Sequence, residues 1–157
     1  MFKKILIVYY SRTGITRKVA HALSEKLKCD VIPLIDHKNR KGPLGYLSCA
    51  AESATSERPM IEEVKDLVNY DFVIIGTPIW AMTMCGPVRT FLHKYKNELS
   101  KVAFFCTMGV SGDKDVFWEM ERISGKDPIA TASFTTADVK KGKFSINPFV
   151  KQIQQRP

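Results

Sequence analysis

The chain has 157 residues, of which 45% are hydrophobic and 25% charged, and these values fit one globular domain, residues 1–157, with a single filled core. No apolar run is long enough to span a bilayer, so membrane insertion is not expected. Up to Lys41, ten Lys or Arg face only three acidic residues, and most of the net charge of +8 comes from this segment. Such a basic balance is typical of binding to nucleic acid or to an acidic protein partner, and it also increases solubility. No pattern of alternating aromatic and basic residues accompanies the charge, so nucleic acid is not expected, while an acidic partner and solubility both stay open.

The beginning of the chain and its cysteines indicate a cellular compartment. Residues 1–12, MFKKILIVYYSR, are basic and then apolar, but no small-residue cleavage site follows, so a buried strand is expected instead of a signal peptide. The four cysteines form no C-x-x-C pair and have no ligand spacing with the three histidines, so neither a metal site nor a disulfide is expected. Free thiols are typical of a reducing compartment, and we expect a cytoplasmic protein.

Five apolar segments are predicted to be strands. Most are continuous apolar runs, which is typical of parallel strands that are covered on both faces. Pro33 favours an edge position for the second of them, because proline cannot donate to a neighbouring strand. The predicted strands are 4–10, 30–35, 71–77, 101–107 and 128–134.

Helical patterns lie between these strands. Ile15, Val19, Leu23 and Leu27 form one apolar stripe at intervals of four residues. The other predicted helices are 61–68, 87–95 with Pro87 in the first turn, 116–123 closed by Gly125, and a short one with Asn147 as N-cap and Pro148 next.

The alternation of strands and helices predicts a doubly wound parallel sheet with the strand order 2-1-3-4-5. Ligands of such sheets bind beyond the carboxyl ends of the strands, which selects the loops 11–16, 77–86 and 107–113. The connection 36–59 is too long for a plain loop. We expect it to contain a helical turn around 45–53 and to cover the sheet or reach the crevice; a mobile surface loop is the alternative.

The loop 11–16 has the composition of an anion site. Ser11, Thr13 and Thr16 could converge with backbone N–H groups at the start of the first helix, where the partial positive charge suits a phosphate. Gly14 would let the backbone approach closely. The alternative is an ordinary Thr-rich N-cap.

This stretch, IVYYSRTGITRKVA, resembles the signature of the flavodoxin family, in which the turn holds the phosphate of flavin mononucleotide (FMN). Ile15 stands where relatives usually carry Asn. The resemblance implies a flavodoxin-like three-layer α/β/α sandwich with a five-stranded parallel sheet, and FMN as the cofactor.

The two other loops extend the resemblance. YDFVIIGTPIWAMTMCGPVRTFL, residues 70–92, is similar to the third strand and flavin loop of the family, and Trp80 offers a flat apolar face for the isoalloxazine ring. CTMGVSGDKDVFWEM, residues 106–120, resembles the loop after the fourth strand but lacks the Tyr that many relatives stack on the flavin, so one flavin face would be open or covered by Tyr46. The resemblance implies cofactor contacts from Ser11, Arg12, Thr13, Gly14, Ile15, Thr16, Thr77, Pro78, Ile79, Trp80, Ala81, Met82, Thr107, Met108, Gly109 and Gly112, with backbone amides near Ala81 and Met82 reaching flavin N5.

Three functions stay open at this point. The first is a carrier that transfers electrons between partner proteins; the second is an NAD(P)H-dependent FMN oxidoreductase that acts on a quinone or another small acceptor; the third is a non-redox flavin sensor. No residue in the three loops is an obligatory acid or base, and the chain has no clear extra segment for a nicotinamide, which favours the carrier. The familiar carriers of the family are acidic, so the basic charge here predicts a less negative second reduction potential and an acidic redox partner.

Overall fold

The computed structural model describes residues 4–156 as a sheet with helices on both faces. Five parallel strands follow the order β2-β1-β3-β5-β6, and the short β4 pairs antiparallel with the end of β3. Without β4 this is the predicted order 2-1-3-4-5, with Pro33 in an edge strand. The strands are β1 (Ile5–Tyr9), β2 (Asp30–Pro33), β3 (Phe72–Trp80), β4 (Thr83–Met84), β5 (Lys101–Met108) and β6 (Thr131–Thr135).

Within residues 4–156, six α-helices and one short 3-10 helix cover the sheet. The α-helices are α1 (Ile15–Leu27), α2 (Gly42–Ala54), α3 (Gly86–Tyr95), α4 (Asp113–Ser124), α5 (Thr136–Lys140) and α6 (Asn147–Gln155). Buried side chains of α2, α3 and α4 form one apolar cluster with one face of the sheet. Those of α1, α5 and α6 form a second cluster on the other face. This confirms the three-layer arrangement.

The continuous apolar strands are buried on both faces, as predicted. In β1, Leu6 and Val8 belong to the cluster with α3, whereas Ile7 and Tyr9 belong to the cluster with α1. Successive side chains of a strand point to opposite faces of the sheet. When both faces are covered by helices, every position is buried, and the strand is a continuous apolar run instead of an alternation of apolar and polar residues. No helix in residues 4–156 is long and apolar enough to cross a membrane.

The predicted helix 61–68 is wrong. The segment has no regular structure up to a 3-10 helix, Leu67–Asn69. The Glu62 N–H donates to the Ile35 carbonyl at 2.8 Å, and the Val64 N–H donates to the Tyr95 hydroxyl at 2.9 Å. Because these N–H groups bond to partners outside the segment, the backbone does not need the hydrogen bonds of a helix. The chain stays extended and still packs its apolar side chains into the core.

The connection 36–59 contains an α-helix that packs on the same face of the sheet as α3 and α4. The helical turn expected around 45–53 is a full helix, α2, and it carries Tyr46 to the carboxyl end of the sheet. Smaller corrections concern element ends. β3 continues to Trp80, so part of the predicted loop 77–86 is strand; α5 was not predicted; and α6 begins at Asn147 with Ile146 as N-cap. The end of α4 at Gly125, which has φ of 66°, agrees with the sequence.

Candidate functional site

A cavity of about 340 Å³ opens beyond the carboxyl ends of β1, β3 and β5, where doubly wound sheets bind their ligands. It extends from the turn before α1 to the wall formed by the end of β3. Its lining is Arg12, Thr13, Ile15, Tyr46, Pro78, Ile79, Trp80, Thr107, Met108, Gly109, Thr136 and Lys140. Residues from all three predicted loops therefore meet in one place.

The turn before α1 forms the polar end of the cavity. Gly14 is the N-cap of α1 with φ of 90°, a conformation that favours glycine, and no side chain caps the helix. The Ser11 hydroxyl accepts a hydrogen bond from the Gly14 N–H at 3.0 Å. The first N–H groups of α1 thus have no side-chain partner, and together with Arg12 they form a donor set that suits a phosphate.

Thr16 does not line the cavity. It is buried, and its Oγ1 lies 2.8 Å from Oγ1 of Thr107 at the end of β5. The hydroxyl therefore joins the first loop to the third, while its backbone N–H is still at the helix start. A phosphate contact of Thr16 through its hydroxyl stays a prediction.

Trp80 forms the aromatic wall at the other end of the cavity. Only 7% of the residue is exposed, and its ring meets the Tyr10 ring edge to face at 5.6 Å between centroids. The Arg40 guanidinium lies 5.5 Å from the Trp80 ring centroid and 5.8 Å from that of Tyr10. Trp80 is thus both a core residue and part of the cavity lining, and its position is fixed by neighbours from two other segments.

Arg40 is the centre of a buried ionic cluster behind this wall. Its Nη2 donates to Asp36 Oδ2 at 2.6 Å and to Glu52 Oε1 at 2.9 Å, and its Nη1 lies 3.4 Å from the Cys49 sulfur. The half-exposed Lys38 donates to the other Glu52 oxygen at 2.6 Å. Burial by itself lowers the pKa of Arg40, but the bonds from Asp36, Cys49 and Glu52 raise it above its ordinary value, so the guanidinium stays charged. The cluster fixes α2 beside the cavity.

The turn between β3 and β4 has a strained backbone. Ala81 and Met82 have φ of 50° and 62°, values that two-residue hairpin turns require but that non-glycine residues rarely adopt. The buried Arg89 holds the turn, since its Nη2 donates to the Thr83 hydroxyl at 3.0 Å and to the Met84 carbonyl at 3.3 Å. Neither Ala81 nor Met82 lines the cavity. The contact of their amides with flavin N5 stays a prediction.

Of the other residues predicted to contact the cofactor, some line the cavity and some do not. Thr107, Met108 and Gly109 line the cavity, as expected for the third loop. Gly112 does not; it is the N-cap of α4, and a Cβ there would be 3.3 Å from the Met82 Cε. Thr77 is fully buried, and its hydroxyl donates to the Pro78 carbonyl at 2.8 Å.

Two lining residues, Thr136 and Lys140, were missed by the sequence reasoning because α5 was not predicted. The Thr136 hydroxyl donates to the Met108 carbonyl at 3.2 Å and so ties α5 to the third loop. Lys140 belongs to a basic run that could have indicated an anion. Tyr46, expected as a possible cover, lines the cavity with 55% of the residue exposed, and the Arg12 guanidinium lies 5.5 Å from its ring centroid.

The arrangement fits FMN. Unpartnered N–H groups and a cation stand at the polar end, as a phosphate requires, and Trp80 and Tyr46 supply aromatic surface for a flat ring. Arg12, Thr13 and Ile15 would hold the phosphate, and Pro78, Ile79, Trp80, Met108 and Gly109 the ring. Among residues 4–156, no group of three or more His, Cys, Asp or Glu could hold a metal ion.

Fold and cavity together define an α/β protein whose site at the carboxyl edge of the sheet takes a flavin nucleotide. A family model described as Flavodoxin matches residues 4–145, and the chain belongs to the flavodoxin family. A flavoprotein in complex with FMN from Lactobacillus acidophilus NCFM is similar, with 26% identity and a TM-score of 0.74 over 88% of this chain and 97% of that one.

Two further solved structures share the fold. A candidate flavoprotein from Bacteroides uniformis ATCC 8492 has 22% identity and a TM-score of 0.74, over 94% of this chain and 97% of that one. The two-electron reduced flavodoxin of Megasphaera elsdenii has 18% identity and a TM-score of 0.58, over 84% of this chain and 85% of that one.

Proposed function

We propose that this chain is a flavodoxin-type electron carrier that binds FMN and passes electrons between partner proteins. The observation that carries the proposal is the lining of the cavity: among the described residues that form it, there is no carboxylate, imidazole or thiol. Electron transfer needs no acid or base from the protein, since bound FMN supplies the redox chemistry. The chain supplies position, a partly dry ring site and the surrounding charge.

The basic residues around the phosphate turn affect the reduction potential of the flavin and the choice of redox partner. Arg12 and Lys140 line the cavity, and Arg17 and Lys18 follow in the first turns of α1. None of these four forms an ion pair with a carboxylate among residues 4–156. Their positive field favours the reduced, anionic flavin, so the second reduction potential is higher than that of an acidic carrier. The same field selects an acidic redox partner, and the four free cysteines suit a reducing cytoplasm.

Stepwise reduction separates the carrier from an NAD(P)H-dependent oxidoreductase. FMN-loaded protein is mixed anaerobically with NADH or NADPH, and in parallel with dithionite. A carrier is bleached slowly or not at all by the nicotinamides, while dithionite reduces it in two resolved one-electron steps. Rapid steady-state turnover of NADPH with a quinone would instead establish the oxidoreductase. Protein that rejects added FMN would overturn both functions.

The charge argument is tested with small oxidants of opposite sign. Reduced protein should transfer electrons to anionic ferricyanide at a rate that falls as salt rises, whereas oxidation by a cationic cobalt hexammine should accelerate. Lys18→Glu should weaken both trends and lower the second potential.

Lys96→Glu is the matched control, because Lys96 follows α3 at the amino end of β5, on the opposite edge of the sheet. Equal effects of the two substitutions would mean that only net charge matters and would contradict a directed field at the cavity.

A further inference from the structure

Helix α2 exposes apolar side chains and buries its charged one, the reverse of an ordinary surface helix. Leu44 is 81% and Leu47 61% exposed, whereas Glu52, the one charged residue of the helix, is buried. The two leucines belong to an outer face that repeats at intervals of three and four residues. This face consists of Pro43, Leu44, Leu47, Ala51 and Ala54. A continuous exposed apolar stripe is typical of a surface that another molecule covers.

The orientation of α2 is fixed by contacts on its inner face. A Cβ on Gly45 would collide with the Arg40 backbone, so helix and preceding chain are in direct contact. One turn of helix and more further on, Glu52 accepts hydrogen bonds from Arg40 at 2.9 Å and from Lys38 at 2.6 Å. A rotation of the helix that buried Leu47 would break both ion pairs and leave the Arg40 charge without this partner. The exposed apolar face is therefore a preformed surface of the fold.

This outer face lies next to the opening of the flavin cavity. Tyr46, on the same helix, lines the cavity and is still 55% exposed, while Leu44 and Leu47 do not line it. Another exposed apolar residue, Val110, directly follows the lining residue Gly109. A molecule that covers the outer face of α2 is thus placed beside the ring end of the cavity, where electrons would enter or leave.

The charged residues around the outer face are basic. Glu52 is the only acidic residue between positions 37 and 56, and it is buried. Lys41 is exposed at the N-cap of α2, and the Arg12 guanidinium lies 5.5 Å from the Tyr46 ring centroid. Neither cation forms an ion pair with a carboxylate among residues 4–156. Two copies of the chain joined through this face would bring like charges together, whereas an acidic partner would neutralise them.

We propose that the outer face of α2 is the docking surface for an acidic electron-transfer protein, an inference that rests on the electron-carrier function. An apolar patch of the partner covers Leu44 and Leu47, and its carboxylates meet Lys41 and Arg12. The 13 residues of α2 extend over about 20 Å, which suits the small interface of a transient redox complex. The apolar centre supplies affinity, and the basic rim orients the partner and accelerates association.

Electron transfer from an acidic protein tests this surface. Reduced plant-type ferredoxin, freed of reductant, is mixed anaerobically with FMN-loaded protein, and flavin reduction is followed by stopped-flow absorbance. A variant with Leu44→Ser and Leu47→Ser should lower the second-order rate constant about tenfold and leave its salt dependence unchanged. Lys41→Glu should instead weaken the salt dependence, because it removes a charge from the rim. The reduction potentials and FMN affinity of the leucine variant should stay those of the wild type, since neither leucine lines the cavity.

Val68→Ser is the matched control. Val68 is 72% exposed and lies in the 3-10 helix before β3, at the amino end of the sheet and away from the cavity, so its substitution should leave the rate unchanged. Equal rates in wild type and leucine variant, or an equal loss in the control, would overturn the docking surface and leave the electron-carrier function intact. Wild-type protein that binds FMN and accepts no electron from ferredoxin would overturn both.

Two further measurements test the other molecules that could cover this face. Sedimentation velocity should find the wild type monomeric; a dimer that the leucine variant dissociates would assign the face to a second copy. Vesicles of phosphatidylserine and phosphatidylcholine should bind wild type and leucine variant equally. A loss of vesicle binding in the variant alone would assign the face to a lipid surface, and either of these results would overturn the proposal.

Discussion

The two ends of the flavin cavity are built in opposite ways. The phosphate end is built from the turn 11–16, of which Arg12, Thr13 and Ile15 line the cavity, and apart from the Arg12 guanidinium its donors are backbone N–H groups that any sequence with this conformation would present. The ring end is assembled from separate segments: Trp80 from β3, Tyr46 from α2, and Gly109 from the loop after β5. Arg40 holds two of these segments in place through the Trp80 ring and Glu52. Local conformation is enough for an anion site, whereas a ring site depends on how distant segments pack.

The largest expected effect is at the ring end. Arg40→Met should lower the free energy of unfolding by about 3–5 kcal/mol, because it leaves the buried Asp36 carboxylate without its ion-pair partner and the buried Glu52 carboxylate with Lys38 alone. Urea denaturation of the apoprotein measures this loss. The control is Lys38→Met, which removes a half-exposed partner of the same Glu52 and should cost no more than about 1 kcal/mol. Similar losses in the two variants would contradict a central role of Arg40.

A smaller loss of stability is expected at the hydrogen bond between Thr16 and Thr107, which joins the phosphate end of the cavity to the loop at its ring end. Thr16→Val should cost about 1–3 kcal/mol of unfolding free energy, since the buried Thr107 hydroxyl loses its partner. Thr13→Val, a substitution of the same kind at an exposed position of the same turn, should leave stability unchanged and weaken FMN binding. Denaturation of the apoprotein and FMN titration separate the two outcomes. If Thr13→Val proved the more destabilising change, the assignment of the two hydroxyls would be wrong.

The smallest effect concerns alkaline pH. Burial raises the pKa of Cys85, whose N–H bonds the Thr77 hydroxyl beneath the ring end, to about 12 from an ordinary value near 9. Above pH 9 the unfolded chain ionises this thiol and the folded chain does not, so stability falls as pH rises toward 12. Between pH 8 and 9.5 the wild type should lose about 1 kcal/mol more than Cys85→Ala. An identical loss in the two proteins, measured by urea denaturation, would exclude this thiol as a cause.

The amino-acid sequence predicted the parts of the fold that depend on local pattern. Continuous apolar strands indicated a sheet covered on both faces, and the alternation of strands with helices gave the strand order. The helix 61–68 was wrong for an instructive reason: apolar residues three and four apart also suit an extended chain whose N–H groups find partners in Ile35 and Tyr95. Periodicity records which side chains are buried and does not record where the backbone hydrogen bonds go.

Residues 11–16, SRTGIT, show the same difference between what local sequence determines and what tertiary contacts determine. Its glycine and hydroxyls, directly after a strand, were sufficient to predict an anion at a helix start, because φ of 90° at Gly14 and free N–H groups are local properties. Tertiary structure alone decided that the Thr16 hydroxyl bonds Thr107, that Arg40 lies behind Trp80, and that α5 brings Lys140 to the cavity. These contacts join residues far apart in the chain, and their energies depend on burial and distance, which no short stretch of sequence contains.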